Sequence, residues 1–180
     1  MTNRIKKVFF DNKKKLITFV TGGDPDLETS NKIIQNLAAN GADLIEIGMP
    51  FSDPMADGPI IQKSSLRSIK KGIDLNKIFK ICIDFRKINK TTPIILMGYY
   101  NVIYNYGLDN FVKNCENIGI DGLIIVDLQP EEDSELFEKI KLKKIDLIRL
   151  VTPTTNEDRL NTILKNASGF LYYVTITGIT

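Results

Sequence analysis

An α/β fold made of successive parallel strand–helix units is what this 180-residue sequence predicts, on three observations. Short, β-branched apolar runs alternate with longer amphipathic stretches. The runs begin at residues 16, 44, 94, 122, 145 and 170, which are 28, 50, 28, 23 and 25 residues apart. They are apolar on both faces, as strands covered on both sides are. A strand, its crossover helix and the return to a parallel strand take about 30 residues, so every interval holds one unit and the second holds an insertion. No Gly-x-Gly-x-x-Gly follows the first run, which argues against a dinucleotide-binding sheet and favours a (β/α)8 TIM barrel. Such a barrel usually needs about 250 residues. The sequence therefore reads as a single partial TIM-barrel domain over 1–180, with about the first six βα units and without strands seven and eight.

Leu16 to Thr21 is the first predicted strand, and Gly22-Gly23-Asp24-Pro25 turns the chain into a helix that runs to about Asn40. Leu44 to Gly48 is the second, followed by the Pro/Gly-rich stretch Pro50 to Pro59 and two helical segments through Asn89. Ile94 to Tyr99 is the third, with a helix from about Leu108 to Ile118. Gly122 to Val126 is the fourth, and Pro130-Glu131-Glu132 is expected to open the next helix, since proline and acids suit a first turn. Ile145 to Val151 is the fifth, and Thr155 to Asp158 resembles a capping box with Asp for Glu. Phe170 to Val174 is the sixth.

Composition narrows the function classes. A net charge of +2 from 24 basic and 22 acidic residues gives no stripe for nucleic acid. The one dense basic run, Lys13 to Lys15, reads as a solvated approach to the first strand. No run approaches the roughly 18 apolar residues of a membrane span, and Met1 to Phe10 lacks the apolar region of a signal peptide. Cys82 and Cys115 fall in helical stretches without CxxC spacing and read as buried, reduced thiols in a reducing compartment. Abundant lysine, isoleucine and asparagine point to an AT-rich genome. Cytoplasmic residence in an AT-rich bacterium is expected, or the plastid stroma if the gene is organellar. The sequence has no histidine, so catalysis must use carboxylates, tyrosine, lysine or cysteine, and no His-ligated metal site is expected.

In a barrel the active site lies at the C-terminal ends of the strands. Glu46 is the outlier there. Alternation puts Leu44, Glu46 and Gly48 on one face and Ile45 and Ile47 on the other. The isoleucines suit the helix-facing side, so Glu46 turns inward, where lost solvation raises a carboxyl's pKa towards working pH. A glutamate satisfied by neighbouring donors is the plainer reading. Function is preferred because buried carboxylates are rare without partners or purpose. Asp57 lies in the loop after that strand, and a buried and a polar-loop carboxylate form the pattern that separates an acid from a base. Asp53 in the same loop reads as a turn former, and Asp127 as a cap or brace. Tyr172 and Tyr173 face opposite ways, and core packing accounts for both. No lysine stands at a strand end, so a Schiff-base aldolase has no nucleophile. Any carbon–carbon cleavage would run on carboxylate acid–base chemistry.

Four stretches carry a resemblance: Phe19-Val-Thr-Gly-Gly-Asp-Pro25, Leu44-Ile-Glu-Ile-Gly-Met-Pro-Phe-Ser-Asp-Pro-Met-Ala-Asp-Gly-Pro-Ile-Ile-Gln62, Leu96-Met-Gly-Tyr-Tyr-Asn101 and Tyr172-Tyr-Val-Thr-Ile-Thr-Gly-Ile-Thr180. In order, and over essentially the whole chain, they resemble the tryptophan synthase alpha chain family. The resemblance implies a lyase that splits indole-3-glycerol phosphate into indole and glyceraldehyde 3-phosphate without a cofactor, with Glu46 as the acid–base group and Asp57 at the indole N–H. It places Tyr172 near the substrate, Phe19, Met97, Tyr99, Val126 and Leu150 in the indole pocket, and Thr180 in a closing loop. It also implies a beta chain as partner in an alpha2-beta2 assembly, docked through the Pro50–Pro59 loop and receiving the indole. Gln129 stands where the family commonly has proline. The family's phosphate-binding glycines and serine follow strands seven and eight, so these residues alone are expected to be weakly active or inactive and to self-associate through open strand edges.

Three other readings compete with this one. A different phosphate-sugar barrel, such as an indole-glycerol-phosphate synthase or an isomerase, would be expected to show a catalytic lysine or other strand-end residues. An interaction module that only activates a beta chain would not need both Glu46 and Asp57. A degraded gene product would have no activity.

Overall fold

The structure, a computed structural model, describes residues 4–11 and 13–175. Its elements run α1 (Arg4–Val8), a 3-10 turn (Phe9–Asp11), β1 (Ile17–Thr21), α2 (Leu27–Ala39), β2 (Leu44–Gly48), α3 (Pro59–Lys70), α4 (Leu75–Ile88), β3 (Ile94–Gly98), α5 (Tyr100–Tyr106) and α6 (Leu108–Ile118). They continue with β4 (Gly122–Ile125), α7 (Ser134–Ile140), β5 (Asp146–Leu147), β6 (Arg149–Val151), α8 (Glu157–Leu164) and β7 (Leu171–Tyr173). Strands β1 to β5 form one parallel sheet in sequence order, and β6 and β7 form a parallel pair. Sequential order, with helices crossing over between strands, is the arrangement that the recurring apolar runs predict.

Both faces of the sheet are buried, in two separate apolar layers. The outer layer joins Ile45, Ile47, Leu96 and Leu123 to helix residues such as Ile78, Phe85, Phe111 and Leu136. The inner layer holds Leu44, Ile95, Ile124 and Ile148, with Ile17, Met97, Val126, Leu150, Phe170 and Tyr172 packed against it. Burying each such aliphatic side chain stabilises the fold by about 1.5–3 kcal/mol. The alternation read at Leu44-Ile-Glu-Ile-Gly48 is therefore the division between these layers. Helix α1 sends Ile5 into the inner layer, fully buried. Beside it, Asp121 before β4 accepts from Arg4 Nη1 at 2.8 Å, Arg86 Nη2 at 2.6 Å and the Ile94 amide at 2.9 Å. That network ties the N-terminal ends of β3 and β4 together, on the face of a barrel that serves stability.

The predicted elements recur with four differences. The fifth strand is not continuous from Ile145 to Val151. Its ladder changes partner at Ile148, whose amide donates to Leu123 O at 2.9 Å, so that β5 pairs with β4 and β6 with β7. The helix after β4 opens at Ser134, not at Pro130. Gln129 to Glu132 close a turn through Glu132 N–H to Gln129 O at 3.0 Å, and the Asp133 carboxylate is drawn away from the helix end to the Arg149 guanidinium and to Asn166 Nδ2 at 2.9 Å. The last helix is capped by Asn156, which accepts from Arg159 N at 2.8 Å, because the Thr155 hydroxyl is taken by the Thr152 amide at 3.0 Å. Helix α5 was not foreseen. Tyr173, expected to pack in a core, is 55% exposed. Cys82 and Cys115 are buried and unpaired with each other, as expected, and burial pushes the Cys82 thiol up to about 12. Among the described residues no helix is long and apolar enough to cross a membrane.

Candidate active site

The C-terminal ends of β1 to β4 converge on one cleft, lined by Phe19, Thr21, Gly48, Asp57, Met97, Tyr99 and Val126, with Met49, Ile61, Ser65 and Gly98 completing it. Two close approaches shape it. A side chain at Gly48 would meet the Phe19 ring 2.7 Å away, and one at Gly98 would meet Met49 Cε at 2.9 Å. Glycine at each strand end is what lets the neighbouring large side chain lie across the sheet. The cleft encloses about 20 Å³, room for roughly one water, so a bicyclic ligand has to widen or extend it.

Glu46 occupies the middle of β2, beside Phe19 in the β1 register, and is 2% exposed. It points away from the outer isoleucines, as the alternation predicts, and its Oε1 has no hydrogen-bond partner among the described residues. Burial alone pushes its pKa from 4.5 up to about 7. The group is therefore a neutral acid at slightly acid pH and close to half ionised near neutrality. Tyr172 comes within electrostatic range: burial first, then the Glu46 charge, raises its phenol above the ordinary value.

Asp57 lies in the loop between β2 and α3, half-buried at the cleft wall. Tyr99 Oη donates to Asp57 Oδ2 at 3.1 Å and accepts from the Ala56 amide at 2.9 Å. Burial raises the Asp57 carboxyl, and the tyrosine bond pulls the other way. The two carboxylates thus sit in unlike surroundings, one dry and unpartnered, the other beside a polar loop with a donor. That is the arrangement that lets one serve as acid and the other as anion.

Of the residues singled out from sequence, Phe19, Asp57, Met97, Tyr99 and Val126 come together in the cleft, while Glu46 and Tyr172 lie in the inner layer beside it. Leu150 shares the inner layer but lines an adjoining cleft with Val126, Arg149 and Arg159. Thr180 lies outside the described residues. Asp53 is exposed and accepts from the Ser52 hydroxyl, a turn role. Asp127 Oδ1 accepts the Tyr100 amide at 2.8 Å, and so braces the start of α5.

Sequence reasoning missed the hydroxyls that fix α3 over the cleft. Thr21 Oγ1 and Ser64 Oγ are 2.6 Å apart, and Ser68 Oγ donates to Gly22 O at 2.7 Å. Three buried serines, Ser64, Ser65 and Ser68, on one helix were the available signal. Among the described residues no group of three acidic or cysteine side chains is placed to hold a metal.

Comparison with known proteins gives a match to the family described as Tryptophan synthase alpha chain over residues 5–180. A solved tryptophan synthase subunit alpha from Legionella pneumophila is 40% identical with a TM-score of 0.93, over 97% of this chain and 68% of that one. A tryptophan synthase a2b2 complex from Pyrococcus furiosus contains a chain that is 39% identical at a TM-score of 0.83, over 88% of this chain and 65% of that one. A tryptophan synthase structure from Mycobacterium tuberculosis gives 28% and 0.93, over 100% and 71%. The sequential parallel strands and their alternating helices thus follow the (β/α)8-barrel fold of these proteins.

Proposed function

The chain belongs to the tryptophan synthase alpha chain family, and from that premise we propose that it is a carbon–carbon lyase that cleaves indole-3-glycerol phosphate to indole and glyceraldehyde 3-phosphate. The observation that carries the assignment of roles is Glu46: a buried carboxyl, pushed to about 7, in the inner layer beside the cleft, with an oxygen free of partners among the described residues. A proton delivered from Glu46 to C3 of the indole ring turns the ring into an electron-poor leaving group. Asp57, ionised, accepts the indole N–H and stabilises the cation that forms. The Glu46 carboxylate then takes the proton of the glycerol hydroxyl. The carbon–carbon bond breaks, its electron pair neutralises the ring, and the hydroxyl carbon becomes the aldehyde. The acid is restored and nothing is consumed but substrate.

Phe19, Met97, Tyr99 and Val126 supply the apolar walls for the ring, with Leu150 and Tyr172 flanking it and Thr180 assigned to the closing loop by sequence. The relatives' a2b2 assembly supports a beta chain as partner, docked at the Pro50–Pro59 loop and receiving the indole. The cytoplasm is the compartment we assign; buried reduced thiols suit it. Incubation of the protein, completed with strands seven and eight of the barrel, and a beta chain with indole-3-glycerol phosphate should release indole and glyceraldehyde 3-phosphate in equal amounts. Asp57→Asn should lower kcat by about 10- to 100-fold, the worth of a hydrogen bond to a charged group, with KM little changed. Release of neither product by the wild-type assembly would refute the lyase assignment, and an unchanged rate in the variant would return Asp57 to a turn role.

A further inference from the structure

Tyr99 is placed to do more than wall the cleft. It follows β3 directly, is 3% exposed, and its ring lies 5.3 Å from that of Phe51. Packing of that kind needs only an aromatic ring. The hydroxyl is a further expense, since a buried phenol must find partners, and both of its partners belong to the loop after β2. It accepts from the Ala56 amide at 2.9 Å and donates to Asp57 Oδ2 at 3.1 Å. The remaining ties near Asp57 are local to its own segment: its amide to Pro54 O at 3.0 Å, and Gln62 Nε2 to its carbonyl at 2.8 Å. Among the described residues the Asp57 carboxylate has no hydrogen bond other than that from Tyr99.

We infer that Tyr99 is a positioning residue for Asp57: one hydroxyl clamps the backbone and the carboxylate of the loop to the end of β3 and leaves Asp57 Oδ1 free for a ligand N–H. The assignment of that N–H to indole rests on the proposed lyase reading; the clamp rests on the two hydrogen bonds. The side chains facing the pair from β1, α3 and β4 are the neutral Phe19, Thr21, Ile61, Ser65 and Val126. The charged group acting on Tyr99 besides Asp57 is Asp127, at the end of β4. Burial first, then these carboxylates, lifts the Tyr99 phenol to about 12, so it remains a donor throughout the working range. Its bond lowers the proton affinity of Asp57 against the effect of burial.

The test is Tyr99→Phe, which keeps the ring and removes the hydroxyl. In isotopically labelled protein without substrate, the Asp57 carboxyl carbon should titrate at higher pH in the variant than in wild type. The Ala56 amide should exchange with solvent about five- to tenfold faster, as expected for loss of one hydrogen bond. Phe51→Leu, which loosens the ring packing but keeps the hydroxyl, should leave the Asp57 titration at the wild-type position. With indole-3-glycerol phosphate, Tyr99→Phe should lower kcat more than it raises KM and shift the acid limb of the pH profile upward. Unchanged titration and exchange in Tyr99→Phe would overturn the clamp. Altered titration with an unchanged kcat would overturn the positioning role. A wild-type protein completed with strands seven and eight that fails to cleave the substrate would remove the lyase reading alone, because the titration reads the clamp without it.

Discussion

At the scale of single residues, the neighbours of Glu46 turn it inward, and the Tyr99 hydroxyl holds Asp57 in place. Strand alternation suffices to turn Glu46 inward, because Ile45 and Ile47 can satisfy only the helix-facing side. The Tyr99 hydroxyl reaches across 42 residues to Asp57, and nothing in a local pattern encodes a contact between two strand ends. The state of Glu46 has a measurable consequence. Its folded pKa, about 7, lies above the 4.5 of an unfolded chain. The folded state therefore holds the proton more tightly, and stability that is fully present below pH 4.5 is lost as pH rises to 7, by about 3 kcal/mol in all. Urea unfolding at a series of pH values should show this fall in wild type and not in Glu46→Gln. Parallel curves for the two proteins would mean that Glu46 is better solvated than its burial implies. Turnover should likewise decline as pH climbs through 7, because the acid must carry its proton.

The elements were predicted best where periodicity is strong and the neighbours are local. Strand β2 and helix α6 lie where the apolar runs put them. The errors fall where a side chain leaves its own element. Asp133 heads α7 but pairs with Arg149 on β6, and the two are 1% and 5% exposed. That bond joins two different elements, with no local periodicity to link its partners. It moves the start of the helix to Ser134 and accompanies the change of ladder partner beside Ile148. Removing one partner of a buried pair strands the other charge, so Asp133→Ala should cost about 3–5 kcal/mol in denaturant unfolding. A loss under 1 kcal/mol would show the pair to be solvated. Gly48 carries the same lesson for the cleft. A glycine at a strand end is a signal, but which ring lies on it is a tertiary fact. Gly48→Ala would press on Phe19 at 2.7 Å, and the expected result is a several-fold rise in KM with about 1–3 kcal/mol of overpacking strain. A wild-type KM would place the Phe19 ring off the substrate's path.

For the molecule as a whole, spacing alone announced sequential parallel strands with helices outside, and lack of histidine and of strand-end lysine left carboxylate chemistry. Substrate and partner came only with family membership, since a barrel by itself hosts many reactions. The contribution of the inner layer is to make one carboxyl among the apolar residues both dry and inward-facing. Its claim to catalysis is tested most directly by turnover of indole-3-glycerol phosphate in the assembly of the completed eight-unit barrel with a beta chain, comparing wild type with Glu46→Gln. The amide has nearly the same size but no proton to give. The predicted result is a kcat lowered about 1000-fold, within the range removed with a general acid or base, while beta-chain binding is kept and the fold is not destabilised. A Glu46→Gln protein that turns over at the wild-type rate would contradict the account.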